Sequence, residues 1–216
     1  MKKYYIITGG SGGIGYQFSK EIKKKNIYPI STYYKNKLNS NDSYHLDLSS
    51  SNSISKFTKS LTSYKNIVGI FINASPKINL ADLKQINKKK LYDQFNSIVC
   101  GHISLLNYVI NNIFNESNSN EIIFNLTELI KKKSTLSQYL LPYIIAKNSL
   151  QVVSDIYKQK YPKINFIDIY PSFVDTNFIS FLDRRFIENL DEQNLISTPK
   201  AIVDSIIKKS EIIKRL

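Results

Sequence analysis

The chain has 216 residues, 42% of them apolar, with 7 Gly, 6 Pro and a net charge of +13. Such a composition excludes a disordered or fibrous chain, and the length fits one α/β domain over residues 1–216 better than two. A single cysteine, Cys100, excludes an internal disulfide, and with only His45 and His102 beside it no metal site is expected.

The positive charge raises the question of nucleic acid, because clustered cations neutralise phosphates. Of the 30 basic residues only Arg184, Arg185 and Arg215 are arginines, whereas base readout and bidentate phosphate contacts favour Arg. The lysines fall in short runs (23–25, 88–90, 131–133) that suit solvated helix ends and loops, so no nucleic-acid partner is expected. Met1-Lys2-Lys3 has the charge of a signal-peptide start, but the apolar run at 4–7 is too short to follow it. No stretch approaches the roughly 18 apolar residues of a membrane span, so a cytoplasmic protein with no membrane partner is expected.

Along the chain, Lys3-Tyr4-Tyr5-Ile6-Ile7 is an apolar run stopped by glycines and predicts a buried first strand. Ile14, Phe18 and Ile22 recur four apart and predict a helix over 14–25. Residues 27–33 read as a second strand, 44–46 as a third, and Ile54, Phe57 and Leu61 as one face of the next helix. A strand over 67–72, a long helix over 91–114, a strand over 121–127, a helix over 137–161 and a strand over 164–170 follow. The end of the chain reads as helical over 178–190 and 199–214, with no seventh strand. This alternation predicts a doubly wound Rossmann-type sheet of six parallel strands, order 3-2-1-4-5-6, covered by helices on both faces.

The turn Thr8-Gly9-Gly10-Ser11-Gly12-Gly13-Ile14-Gly15 lies between the first strand and the first helix. Glycines there let backbone amides approach a pyrophosphate, with the helix N-terminus aimed at its charge. The spacing departs from G-x-G-x-x-G, and a tight turn without a ligand would also be glycine-rich.

This T-G-x-x-x-G-x-G pattern resembles that of the short-chain dehydrogenase/reductase family. Four further segments are similar to that family's motifs, in the same order. His45-Leu46-Asp47-Leu48 resembles its third strand and Asn73-Ala74-Ser75 its N-A-G. Tyr143-Ile144-Ile145-Ala146-Lys147 is a Y-x-x-x-K, and Tyr170-Pro171-Ser172-Phe173-Val174-Asp175-Thr176 resembles P-G-x-x-x-T with Ser172 in place of Gly. The resemblance covers roughly residues 2–176 and implies a nicotinamide dinucleotide held by Gly9, Ser11, Gly13, Ile14 and Gly15 of the turn. It assigns Asp47 and Leu48 to the adenine region, and Asn73, Ala74, Ser75, Pro171, Ser172, Val174 and Thr176 to the rest of the cofactor.

Tyr143 and Lys147, four apart, share a helical face, where an ammonium would lower the phenol's pKa towards that of a working acid or base. The resemblance makes Tyr143 the acid/base and Lys147 its partner and ribose anchor. A bare helical pair would carry the same pattern, but this one follows the fifth strand as the family's does. The family's Ser at the end of that strand corresponds to Glu128 or, one residue earlier, Thr127, whose hydroxyl could donate to a carbonyl. Ser134 and Ser137 are the remaining candidates. On the long helix, aligning Gly101 with N-x-x-G puts Ile98 where the family has its relay Asn. Asn96, two residues early, would sit about 200° away unless the helix is irregular.

At the end of the second strand, Ser31-Thr32-Tyr33-Tyr34-Lys35-Asn36-Lys37 has no acid to bind a ribose diol. NADP is favoured over NAD, with Lys35 or Lys37 pairing a 2′-phosphate and Thr32 or Tyr33 donating a hydrogen bond, although solvated lysines would look the same. The activity expected is NADP(H)-dependent interconversion of a small-molecule carbonyl and a secondary alcohol. The alternative is a dinucleotide-binding or regulatory protein without turnover. Phe178, Phe181, Leu182 and Phe186 form either an apolar lid over the substrate or plain core. The family's seventh strand has no counterpart before Leu216, and the long helices are the expected homodimer surface.

Overall fold

The first strand, β1 (Lys3–Ile7), passes from half-buried to buried along its length in a computed structural model that describes residues 1–78, 80–114, 119–132, 135–180, 182–192 and 195–214. Successive strand side chains point to opposite faces. Tyr5 and Ile7 accordingly enter one core with Phe18, Ile22, Phe71, Val203 and Ile213. Ile6 enters the other, with Phe57, Ile70, Leu105, Val109, Phe124 and Leu150.

Helix α1 (Gly13–Lys23) returns the chain to β2 (Ile27–Tyr33), and the short β3 (Ser43–His45) leads into α2 (Ser51–Ser60), capped by the Ser50 side chain. The next strand, β4 (Ile67–Ile72), is buried at every position, as a central parallel strand covered on both faces must be. Helix α3 (Lys88–Phe95) starts where the Asn87 side chain accepts from the Lys90 amide, three residues before the predicted start. It does not run on as regular α-helix. A π-helical segment, Asn96–Cys100, joins it to α4 (Gly101–Asn112), and no side-chain periodicity announces such a widened turn.

β5 (Glu121–Asn125) is two residues shorter than predicted, because Thr127 leaves the strand to cap a 3-10 turn at Glu128–Ile130. Helix α5 (Leu141–Lys160) starts at the proline-compatible first turn set by Pro142, so part of the predicted 137–161 helix is a preceding 3-10 turn. β6 (Asn165–Ile169) closes the sheet, whose order is β3-β2-β1-β4-β5-β6 with every pair parallel.

The end of the chain corrects two expectations. A second, two-stranded sheet pairs β7 (Phe173–Val174) with β8 (Ile196–Ser197) in parallel, and strands of two residues carry no readable alternation. The helix predicted over 178–190 is a 3-10 turn at Asn177–Ile179 followed by α6 (Arg184–Glu192). Ile179, Leu182 and Leu190 pack there as a small core of their own, against Phe173 and Ile196. α7 (Pro199–Lys209) and α8 (Glu211–Lys214) then cover the face that carries Tyr5. Among the described residues no helix is long and apolar enough to cross a membrane.

Far from the strand ends that form the cleft, Glu121 is fully buried. Its carboxyl accepts from Tyr5 Oη at 3.0 Å, Ser210 Oγ at 2.9 Å and Asn165 Nδ2 at 2.8 Å, joining β1, β5, β6 and the C-terminal helices. Burial still holds its pKa above the ordinary carboxylate value, against those hydrogen bonds. The native state therefore binds this proton more tightly than the unfolded chain, and the stabilisation is complete at low pH and lost as pH rises through the raised pKa. Urea midpoints measured from about pH 4 to about pH 7 should fall less steeply for Glu121→Gln than for the wild type.

Candidate active site

β1 runs into Thr8, and the turn that follows needs its glycines, since Gly9 has φ 66° and Gly13 φ 51°. Gly12 precedes α1 without a side-chain cap, so the first amides of the helix are left for a ligand or solvent. They border a cleft of ≈ 700 Å³ at the C-terminal ends of the strands, where parallel α/β sheets bind their ligands.

The structure brings nearly all the sequence-predicted residues to this cleft. Gly9, Ser11, Gly13 and Ile14 line it below the turn. Tyr33 and Lys35 border it after β2, Asp47 and Leu48 after β3, and Asn73, Ala74 and Ser75 after β4. Thr127, Tyr143 and Lys147 line its other half, with Pro171, Ser172, Val174 and Thr176 from the segment after β6. Gly15 does not line it. A Cβ there would lie 2.4 Å from the Gly9 carbonyl, so this glycine lets the helix close on the turn instead of touching a ligand. Thr32 is also engaged internally, its hydroxyl accepting from the Gly9 amide at 3.1 Å. Lys37 lies off the cleft lining, and Asp47 accepts from the Ser49 amide and hydroxyl at 2.9 and 2.6 Å.

In the inner half, the Thr127 hydroxyl hydrogen-bonds the Tyr143 phenol. Glu128 turns elsewhere, into an ion pair with Lys132 at 3.0 Å and a hydrogen bond from Ser172, and the contact with Lys132 holds its carboxyl below the usual value. Ser137 sits in the 3-10 turn before α5 and does not reach the lining, and Ser134 lies outside the described residues. Phe178 packs against Tyr143 with ring centroids 5.9 Å apart and lines the cleft, whereas Leu182 is buried in the small outer core. Phe181 and the side chain of Phe186 lie outside the described residues.

Lys147 is buried and donates to the Asn125 carbonyl at 2.6 Å, with its Nζ 5.7 Å from the centre of the Tyr143 ring. Burial pushes its pKa down to about 7. The expected lowering of the phenol by this lysine is not what the geometry gives. Burial raises the Tyr143 pKa well above its ordinary value, and the pull in the other direction comes from the Thr127 hydroxyl. Desolvation outweighs the charge because the lysine is itself driven towards its neutral form.

Several cleft residues have no counterpart in the sequence reading. Tyr34 and Asn36 extend the rim after β2, and Lys77 lies beyond the 73–75 segment. Asn125 ends β5; its Nδ2 donates to Asn73 Oδ1 at 2.9 Å, while its Oδ1 is buried with no partner among the described residues. A polar residue at the end of an otherwise apolar strand was the readable signal. Ser97 is the other. The π-helical segment does make the helix irregular, but Asn96 donates to the Ser49 carbonyl at 3.3 Å and Ser97 is the residue lining the cleft.

A nicotinamide dinucleotide fits these residues. The turn can take its phosphates on backbone amides, and the cleft runs without interruption from Lys35 to Tyr143. Asn125, whose backbone carbonyl accepts from Lys147, also carries a buried Oδ1 acceptor with no donor among the described residues. Among the described residues no group of three or more His, Cys, Asp or Glu is placed to hold a metal.

The sequence matches no protein-family model, and no curated protein matches it. Solved structures do match. A short chain dehydrogenase family protein from Francisella tularensis superposes with a TM-score of 0.82 at 19% identity, over 100% of this chain and 94% of that one. The 3-ketoacyl-(acyl-carrier-protein) reductase of Brucella melitensis, solved with NADH, gives 0.85 at 13% identity over 99% and 93%. An alcohol dehydrogenase from Thermococcus sibiricus, solved with 5-hydroxy-NADP, gives 0.78 at 15% over 94% and 88%. The chain has the fold of the short-chain dehydrogenases and reductases.

The depressed Lys147 pKa has a cost in stability. Below its ordinary value of 10.5 the unfolded chain takes up a proton that the native chain refuses until about 7, so this group's destabilisation grows as pH falls across that window. Lys147→Met should raise Tm over the wild type near neutral pH, with the difference closing as the pH is raised above that window. A variant that melts below the wild type throughout would contradict this.

Proposed function

We propose that this chain is a short-chain dehydrogenase/reductase that uses NADP(H) to interconvert a carbonyl and a secondary alcohol on a small molecule. The observation that carries the reading is the meeting of Thr127, Tyr143 and Lys147 in a cleft whose far wall is the glycine turn. The bound nicotinamide would supply or accept the hydride. The protein's own groups handle the proton and the charge on oxygen. Tyr143, kept neutral by burial, is a phenol able to give its proton to the oxygen that develops negative charge during reduction, and to take it back in oxidation. Thr127 stands beside that phenol and can donate its hydroxyl to the same oxygen, stabilising charge where it develops. Lys147, balanced between amine and ammonium near neutral pH, restores positive charge beside Tyr143 when protonated. Pro76, Ile78, Leu129, Leu140 and Phe178 wall this half of the cleft and exclude water from the reacting oxygen.

Lys35, Tyr33, Tyr34 and Asn36, with no acid among them, support a 2′-phosphate at the other end. A second reading, dinucleotide binding without turnover, is favoured by Glu128 in place of a serine and by Asn96 turned away to Ser49.

The two separate in one set of measurements on the full chain. NADPH should bind more tightly than NADH, with Lys35→Asp removing most of that preference, and NADPH should be oxidised with members of a panel of ketones and aldehydes. Tyr143→Phe should lower kcat by about 10²–10⁴-fold and Thr127→Val by roughly 10²-fold, with Thr127→Ser close to the wild type. Tight NADPH binding with no turnover across the panel and no response to Tyr143→Phe would leave only the second reading.

A homodimer belongs to the same proposal. Ile145, Val152 and Ile156 are exposed on α5 at spacings of seven and four, which is one helical stripe, and Phe95 of α3, a helix packed on α5, is exposed as well. Ile156→Glu should convert a dimer to a monomer in sedimentation velocity. A wild type that sediments as a monomer at micromolar concentration refutes the assembly.

A further inference from the structure

Beneath the glycine turn lies a histidine that none of these roles employs. His102, in the first turn of α4, is buried. Its Nδ1 is 2.8 Å from the Ile98 carbonyl in the π-helical segment. A carbonyl can only accept, so Nδ1 carries the ring proton, and Nε2 of the neutral ring is left as an acceptor. Nε2 lies 3.2 Å from the Thr8 hydroxyl.

That hydroxyl is a junction. Its oxygen accepts from the Asn73 amide at 2.8 Å and the Ala74 amide at 3.0 Å, which occupies both lone pairs. Its single proton has two acceptors in reach, the Phe71 carbonyl at 3.1 Å and His102 Nε2. The Phe71 carbonyl already accepts the Thr8 amide at 3.0 Å, whereas Nε2 has no other donor among the described residues. A buried acceptor left empty is the more costly outcome, which directs the proton to histidine.

We infer that His102 is a positioning residue for the dinucleotide site, the neutral Nδ1–H tautomer orienting the Thr8 hydroxyl so that its oxygen holds the 73–74 amides against the glycine turn. The role rests on the dinucleotide reading proposed above. Its chemistry is consistent with burial, which pushes the imidazole down to about 4, partly offset by the Ile98 carbonyl and reinforced by the charge of Lys147. The ring is thus neutral wherever the enzyme would work. It also stands between two parts that sequence treats as unrelated, the irregular turn of the long helix and the loop that follows β4.

Two substitutions divide the ring's two bonds. Asparagine places an amide donor where Nδ1 stands and keeps the contact with Ile98, but does not reach Thr8. Glutamine extends further and places a carbonyl near the position of Nε2, keeping the acceptor for Thr8. With NADPH as the probe, His102→Gln should bind within about threefold of the wild type and His102→Asn at least roughly tenfold more weakly, the size expected for one buried hydrogen bond. Amide exchange at Asn73 and Ala74 should be faster in His102→Asn than in His102→Gln. Nitrogen shifts of the wild-type imidazole, which require no substitution, should report the Nδ1–H tautomer from neutral pH down to about pH 5. An Nε2–H tautomer overturns the assignment. So does equal loss of affinity in the two variants, or better binding by His102→Asn, since either would mean that the ring only props the π-helical segment. A wild-type chain that binds neither NADPH nor NADH would remove the dinucleotide reading, and the tautomer and the exchange rates at Asn73 and Ala74 would then decide the role of His102 by themselves.

Discussion

The C-terminal edge of a parallel sheet is where backbone amides and carbonyls run out of strand partners, and in this protein side-chain amides and one lysine take them up. Asn73 donates through Nδ2 to the Thr8 and Gly9 carbonyls at 3.0 and 3.3 Å, and accepts from Asn125 through Oδ1. Lys147 in turn donates to the Asn125 carbonyl. The ends of β1, β4 and β5 are therefore tied to one another and to α5 by partly buried hydrogen bonds. Each is worth about 1 kcal/mol net, but together they make the glycine turn, the 73–75 segment and the Tyr143–Lys147 face a single rigid body. Everything offered to a ligand depends on that rigidity.

The same burial that gives the rigidity sets the chemistry. A tyrosine and a lysine drawn into the inner half of the cleft are moved in opposite directions, the phenol up and the ammonium down, so both favour the neutral form. Such a pair destabilises the fold relative to apolar residues of like size. Glu121, at the far end of β5, obeys the same rule without lining the cleft. Four donors surround it, the Glu211 backbone amide being the fourth, and burial still wins, which makes it a structural clamp between the sheet and the last two helices.

Long, regular elements were legible in the sequence. The uninterrupted apolar run of β4, the four-residue spacing of Ile14, Phe18 and Ile22, and the glycines that punctuate β1 are local patterns, and local patterns are what a one-dimensional reading can see. Elements stabilised by distant partners were not. The two-residue strands β7 and β8 exist only because each pairs with the other across more than twenty intervening residues. In the π-helical segment Ser97 lines the cleft in place of the Ile98 that counting along an ideal helix indicates, while Asn96, as that count has it, faces away and bonds to Ser49.

What the sequence by itself determined was the order of strands and helices, the glycine turn and the helical pairing of Tyr143 with Lys147, because each is fixed by backbone conformation or spacing within a few residues. Only the tertiary structure showed where the Thr127 and Glu128 side chains go. Adjacent residues leaving a strand face opposite ways, and one finds the Tyr143 phenol while the other finds Lys132. Only the tertiary structure, likewise, brought His102 under Thr8 and Asn125 beside Asn73. Those contacts join residues 94 and 52 positions apart, and the partner of a buried polar group is chosen by what lies within about 3 Å of it, not by what lies near it in the chain.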